Sequence, residues 1–329
     1  MNVRPGFDMI KESFKGWRED GALDLGAALA YYTIFSLAPL LLIVIAVAGL
    51  VWGREAVQGQ LVGQLQGVVG PQGSQAIQTM IANAGQHGSG VIATIIGVAT
   101  ILFGATGVFV QLQSAMDRVW NVEPRPGGGV WSFVRTRLLS FGMVLGIGFL
   151  LLVSLVVATA VSAIGTWVTG MVPGAKVLIE VLTFLVSFGI VTLLFAMIFK
   201  ILPDVKIAWR DVWIGAVVTA LLFTVGKFLI GLYLARSSVA STYGAAGSLV
   251  VLLLWIYYSS QILFLGAEFT EVYATRYGSR IEPSKHAVPV VRRTEVTSTR
   301  DWPPAKEQKE KGAPERPQDG ATGSRKAGA

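Results

Sequence analysis

The sequence predicts an all-α, polytopic membrane protein with six transmembrane helices, both termini in the cytoplasm, and an interfacial helix at the N-terminus. Three observations carry that expectation. Hydrophobic residues make up 53% of the 329-residue chain and charged residues only 14%, against roughly 25% charged in a soluble domain. The charges gather at the N-terminus, in short gaps and in the C-terminal stretch, and long apolar runs lie between. A charge at the bilayer centre costs at least ~2.5–3.5 kcal/mol on insertion scales, so this segregation is what a bilayer demands. Third, Lys and Arg crowd alternate gaps, which sets an orientation.

The first segment, residues 1–24, has Phe7, Ile10, Phe14 and Trp17 within about 80° of arc at 100° per residue. Lys11, Lys15 and Arg18 flank that arc, so the segment reads as a short helix along the cytoplasmic leaflet, its basic stems snorkelling. The apolar run from Leu25 follows Glu19, Asp20 and Asp24 and is longer than the roughly 7–15 residues of a signal-peptide core. No cleaved signal is expected.

Crossing the hydrocarbon core takes about 20 apolar residues in a helix. Six stretches qualify: about 25–52, 91–113, 138–164, 177–199, 212–234 and 245–267. Before the first and in the gaps after spans two and four stand Arg4, Lys11, Lys15 and Arg18, then Arg118, Arg125, Arg135 and Arg137, then Lys200, Lys206 and Arg210. The alternate gaps hold one cation each, Arg54, Lys176 and Arg236, so the N-in, C-in orientation follows. In the long outer gap, Leu61, Leu65, Val68 and Val69, then Ile77 and Ile81, suggest two short amphipathic helices broken at Gly70-Pro71. The membrane domain is expected over 25–282, and 283–329, rich in Pro, Lys, Glu and Arg, reads as a disordered basic cytoplasmic tail.

Within a bilayer each polar residue must find a partner, so polar residues mark candidate sites. Lys227 in span five and Glu180 in span four both lie near the outer face. They could pair, or Lys227 could snorkel outward; a functional pair would receive an anionic or zwitterionic group. Nearer the inner side stand Tyr31, Tyr32 and Ser36 of span one, with Pro39 close by, and Tyr257, Tyr258, Gln261 and Glu268 of span six. These could line a wet cavity between spans one, two and six, or bond neighbouring helices at about 0.6 kcal/mol per contact. The small-residue spacings Gly142–Gly146 and Ala216–Ala220, with Gly97, Gly104 and Gly107, suit close helix packing. The turn Ser241–Ser248 suits helix capping and would also welcome an anion such as a lipid phosphate.

The same residues exclude much chemistry. There is no cysteine, hence no disulfide or thiolate chemistry. His87 and His286 fall on opposite sides of the expected membrane, which leaves neither a metal-ligand set nor a Ser–His triad. No Walker A sequence is present. No catalytic residue, metal or cofactor is expected, and the chain does not read as an enzyme. The net charge of +7 lies beside membrane segments and in the tail, as an anionic inner leaflet requires. The partners expected are membrane lipids, anionic headgroups among them, with a homo-oligomer left open and no nucleic acid.

The string from Ala27 through Tyr31-Tyr32-Thr33-Ile34-Phe35-Ser36-Leu37-Ala38-Pro39 to Leu41 resembles the opening helix of the YihY/BrkB family of bacterial inner-membrane proteins. So do Tyr243-Gly244-Ala245-Ala246-Gly247-Ser248, Trp255-Ile256-Tyr257-Tyr258-Ser259-Ser260-Gln261-Ile262, Gly266-Ala267-Glu268 and the Leu202-Pro203 pair. The resemblance covers about residues 10–280. It implies six transmembrane helices and a bacterial plasma-membrane location. The family has carried the label ribonuclease BN, for which these residues supply no metal ligands. Two functions follow as expectations: a transporter or translocator of lipid or another amphipathic envelope solute, without an ATPase, or a non-transporting scaffold or envelope-integrity factor acting through partners.

Overall fold

The computed structural model describes residues 4–84, 91–125, 142, 146, 175–236, 242–243, 246–279, 281–285 and 287–290. The chain opens with α1 (Arg4–Glu19) and turns at Gly21, whose φ of 67° suits a residue without a side chain, into α2 (Ala22–Trp52). At 1.5 Å per residue the 31 residues of α2 extend about 46 Å, longer than a hydrocarbon core needs. Pro39 lies inside α2 without ending it, packed against the place where Gly104 has no side chain.

After Gly53 comes α3 (Arg54–Ala84), which is two helices joined at Gly70, where φ is 78° and ψ 175°. Pro71 follows at once, in the first-turn position where its missing N–H costs nothing. The two helices broken at Gly70-Pro71 are therefore where the sequence puts them. Their apolar residues Val57, Leu61, Val69, Ile77 and Ile81 are buried with Leu41, Val44 and Ile45 of α2 and Leu252 and Ile256 further on, forming one core.

α4 (Val91–Val119) coincides with the second expected span and runs on past it into the short strand β1 (Val122–Pro124). The third span, 138–164, lies outside the described residues apart from Gly142 and Gly146. α5 (Ala175–Ile201), α6 (Trp209–Arg236) and α7 (Gly247–Arg276) follow, with the two-residue strand β2 (Val205–Lys206) between the first two of these. A second core forms where α4, α5, α6 and α7 end together: Met116, Val119 and Trp120, then Phe199, Val212, Phe264 and Ala274.

Among the described residues, four helices are long and apolar enough to cross a membrane, over Ala22–Ala46, Val177–Ile201, Trp209–Leu234 and Gly247–Arg276. These match spans one, four, five and six. Their outward faces are apolar as well. Leu182, Phe184 and Leu185 of α5 and Leu221, Phe228 and Leu229 of α6 are all exposed, a density of apolar surface that water does not tolerate and lipid does.

α6 and α7 meet through a reciprocal interlock. A side chain at Gly215 of α6 would run into Thr270 of α7, and one at Gly266 of α7 would run into Thr219 of α6. Each threonine also donates its hydroxyl to the carbonyl four residues back, Thr219 to Gly215 at 2.7 Å and Thr270 to Gly266 at 2.6 Å. Ala216 and Ala220, the small-residue spacing suited to close packing, are both fully buried, one residue on from the pair that interlocks.

One boundary is corrected. Disorder is expected from residue 283, yet Glu282–Pro283 (β3) pairs antiparallel with β2, and Ala287–Pro289 (β4) pairs antiparallel with β1. The Ser284 N–H and hydroxyl both reach Asp204, its backbone oxygen at 2.8 Å and Oδ1 at 3.3 Å. Local composition reads this stretch as tail, but exposed strand edges at the ends of α4 and α5 supply hydrogen-bond partners from distant sequence. Residues 291–329 lie outside the described residues.

Candidate functional site

The sequence-selected residues sort onto two faces of α7. At 100° per residue, Tyr257, Gln261 and Glu268 share one face, and Tyr258, Ile262, Gly266 and Thr270 share another roughly 140° away. The second face packs on α6: the Tyr258 ring lies 3.1 Å from where a side chain at Gly226 would begin. Ser260 donates to the Ile256 carbonyl at 2.8 Å and so is satisfied within its own helix.

The first face forms a polar row against α2 and α1. Gln261 lies directly over Gly26 of α2, where any side chain would collide with its amide, and the Tyr257 ring stands 3.5 Å from the same point. Neither Nε2 nor Oε1 of Gln261 has a hydrogen-bond partner among the described residues, although both atoms are buried. Two turns further on, Glu268 is only 3% exposed and presses on Gly16 of α1. Its Oε1 is buried without a hydrogen-bond partner among the described residues.

The tyrosines of α2 take other places. Tyr31 and Tyr32 are 59% and 43% exposed, in edge contact with one another, and Tyr31 also contacts Phe35. Ser36 is buried and accepts the Val108 N–H of α4 at 3.2 Å. It thus bonds helix to helix, one of the two roles open to it from sequence. Lys227 and Glu180 are exposed on α6 and α5.

Two further acidic residues are buried, at the ends of α4 and α6. Asp211 is buried and accepts both the N–H and the hydroxyl of Ser279, each at 2.9 Å. Asp117 is buried and accepts the Asp204 N–H at 2.7 Å. Burial pushes the Asp117 carboxyl up to about 7; the Asp204 N–H bond works against this rise and the nearby Asp204 carboxylate adds to it. Lys200 donates to the Ile207 carbonyl and stands 5.6 Å from the centre of the Trp209 ring. Asp117 and Asp211 could have been suspected only as carboxylates near the ends of apolar helices, a weak signal. Among the described residues, no three His, Asp or Glu side chains gather as a metal site would require.

A family model described as virulence factor BrkB matches residues 13–290, the whole of the described fold from mid-α1 to β4. The chain belongs to the BrkB family. BrkB-family relatives named UPF0761 membrane proteins include one from Psychrobacter sp. (strain PRwf-1), 26% identical over 80% of this chain and 48% of its own length. Another, from Ralstonia nicotianae, is 28% identical over 76% of this chain and 55% of its own length. A third, from Pseudomonas aeruginosa, is 27% identical over 75% of this chain and 58% of its own. The chain spans about half the length of the curated relatives it matches. No solved structure matches it. Membership of the family and the four long apolar helices make this an integral membrane protein.

Proposed function

We propose that the protein translocates lipid or another amphipathic envelope solute, without an ATPase of its own. It works in the bacterial inner membrane as a six-helix bundle with both termini inside, α1 lying in the inner interface. The observation that carries this reading is the Gln261 amide, buried between α2 and α7 with neither polar atom partnered among the described residues. A buried amide left unpaired costs on the order of 1–3 kcal/mol, and in lipid no water is at hand to relieve it. A second conformation that opens the α2–α7 seam would bring a headgroup or water to it. Tyr257 and Glu268 continue the polar row, and Tyr31 and Tyr32, exposed on α2, stand at its margin. Lys227, exposed on α6, would meet a phosphate or carboxylate at the outer leaflet, with Glu180 tuning that charge. No step is catalytic, and the partners are lipids, anionic headgroups included.

Phospholipid scrambling in liposomes, read with a fluorescent lipid and a membrane-impermeant quencher, tests the reading. Wild type should expose inner-leaflet lipid faster than empty vesicles, and Gln261→Ala should slow that exchange. Wild type matching empty vesicles with several headgroups would sink it. The alternative, a scaffold acting through partners, draws on the exposed apolar side of α1, where Phe7, Ile10 and Phe14 face outward. It predicts that loss of that face, rather than of Gln261, abolishes the cellular phenotype.

A further inference from the structure

We propose that α5 and α6 open, away from the turn that joins them, into a lipid-binding cleft that seats a phospholipid with its phosphate at Lys227. The cleft gives the translocation reading a ligand seat and rests on that reading for its purpose, though the binding itself needs no transport. Near the turn the two helices are closely packed. Thr192, Phe195, Ala196 and Phe199 of α5 are buried, and the Phe195 ring meets that of Phe223 of α6 edge to face, 5.6 Å between centres. Phe223 meets Trp255 of α7 in the same way at 6.1 Å. These three rings make a floor. Beyond it the packing stops: among the described residues, α5 has no buried position from Val177 to Val191, and α6 has none after Gly226.

The exposed positions include the very face that is closed at the floor. Phe184 and Val181 lie about three and four turns from Phe195 on the same side of α5, at 100° per residue, and there they are 54% and 49% exposed. Lys227 stands one turn beyond Phe223 on the corresponding side of α6, exposed as well, and Ile230 and Leu234 continue that side half-buried. Glu180, about 60° round α5 from Phe195, lies at the rim, outside the seat. An exposed surface within a membrane is covered by water, protein or lipid. Val181, Phe184, Ile230 and Leu234 offer water nothing to bond. Helices that pack together in a membrane approach through small residues, whereas these walls are Val, Phe, Ile and Leu. Acyl chains suit such walls. The Lys227 ammonium complements a phosphate, and it stands about 13 Å short of the end of α6 at Arg236, which places the seat within the span rather than at its end.

Single bimane fluorophores test the cleft, and a chain without cysteine takes them cleanly. Val181→Cys and Phe184→Cys place the probe on the cleft wall. Leu182→Cys is the control, exposed at the same level but about 140° round α5 from Phe195. The full chain is held in phosphatidylcholine liposomes with rising fractions of doxyl-phosphatidylglycerol, whose spin label quenches on contact. The two wall sites should be half-quenched at a fraction about fivefold lower than the control, the factor expected of one lysine beside an anionic headgroup. Lys227→Ala should erase that difference and Lys227→Arg should keep it, with the control unchanged throughout. Equal quenching at all three sites, with and without Lys227, overturns the cleft, because annular lipid alone would give it. Absence of quenching at both wall sites overturns it too, since protein would then fill the space. Recovery on diluting the protein in lipid would identify that filler as a second copy, and no recovery as another stretch of this chain. The readout is contact at equilibrium, so the cleft can bind where scrambling fails, and scrambling through the α2–α7 seam can proceed where the cleft fails.

Discussion

On one face of α7, Gly266 and Thr270 fit against Gly215 and Thr219 of α6, and both hydroxyls are hydrogen-bonded within their helices. On the other, Gln261 and Glu268 fit against Gly26 and Gly16 just as closely, yet among the described residues each keeps a buried polar atom without a partner. Both faces use glycine for close approach, so proximity alone does not distinguish them. What differs is the tip that enters the glycine gap. A β-branched threonine is held by its stiff χ1 and its own hydrogen bond, whereas a glutamine or glutamate enters by the free end of a flexible chain. The first face is built to stay shut and the second can change partners.

The largest expected effect is on the shut face. At Gly215 the Cβ and Cγ2 atoms of Thr270 both lie 2.7 Å from where a side chain would begin, and neither can rotate away. Gly215→Leu should cost the upper end of the usual ~1–3 kcal/mol for overpacking or more, seen as a fall in the thermal midpoint in detergent. Gly26→Ala, which only displaces the end of Gln261, should cost under about 1 kcal/mol. Equal losses at the two glycines would erase the contrast.

The second effect sharpens it near the ends of α4 and α6, where Asp211 has two donors from Ser279 and Asp117 one from Asp204. Asp117 stands at about 7 against an ordinary value of 3.8. A raised folded value means the folded protein holds a proton that the unfolded chain has released between about pH 4 and pH 7. Stability should therefore be greatest at the acid end of that window, fall as pH rises through it, and level off above. At ~1.4 kcal/mol per unit the fall is up to about 4 kcal/mol. Asp117→Asn keeps the acceptor for the Asp204 N–H and should flatten the curve; a variant with the wild-type slope would place the titration elsewhere.

The hydrophobic runs made α2, α5, α6 and α7 readable from sequence, and the Gly70-Pro71 break in α3 was readable because both residues act on their own backbone. The Gly215/Thr219 and Gly266/Thr270 interlock was not. Its signal is a four-residue spacing in each of two helices, and only their antiparallel packing in register gives it meaning. Tyr257, Gln261 and Glu268 could be suspected as polar residues in an apolar helix. That Tyr258 and Ser260, their neighbours, serve packing and self-bonding depends on which helix lies on which side. The strands β3 and β4 were hidden for the same reason, since each owes its shape to a distant edge.

A smaller effect separates stability from activity on the open face. Gln261→Leu removes both unpartnered atoms while keeping similar bulk, so stability should hold or rise by up to about 1 kcal/mol. Scrambling should slow all the same. A stability loss above that size would mean that the amide is bonded in the resting protein, and that the open face is as satisfied as the shut one.

Lys227 is expected to give the smallest change. It is exposed on α6 beside Gly226, against which Tyr258 packs, so no buried contact depends on its ammonium. A lysine near a helix end can run its stem along apolar surface and leave its charge among headgroups, and Lys227→Ala should shift stability by no more than about 0.5 kcal/mol. Its charge still bears on which lipid approaches. If the outer leaflet is reached past α6, the variant should slow scrambling of an anionic phospholipid more than that of a zwitterionic one, and the gap should narrow as salt screens the field. Equal rates for both lipids, in variant and wild type alike, would take Lys227 off the path. The α2–α7 face would then carry the polar contacts by itself.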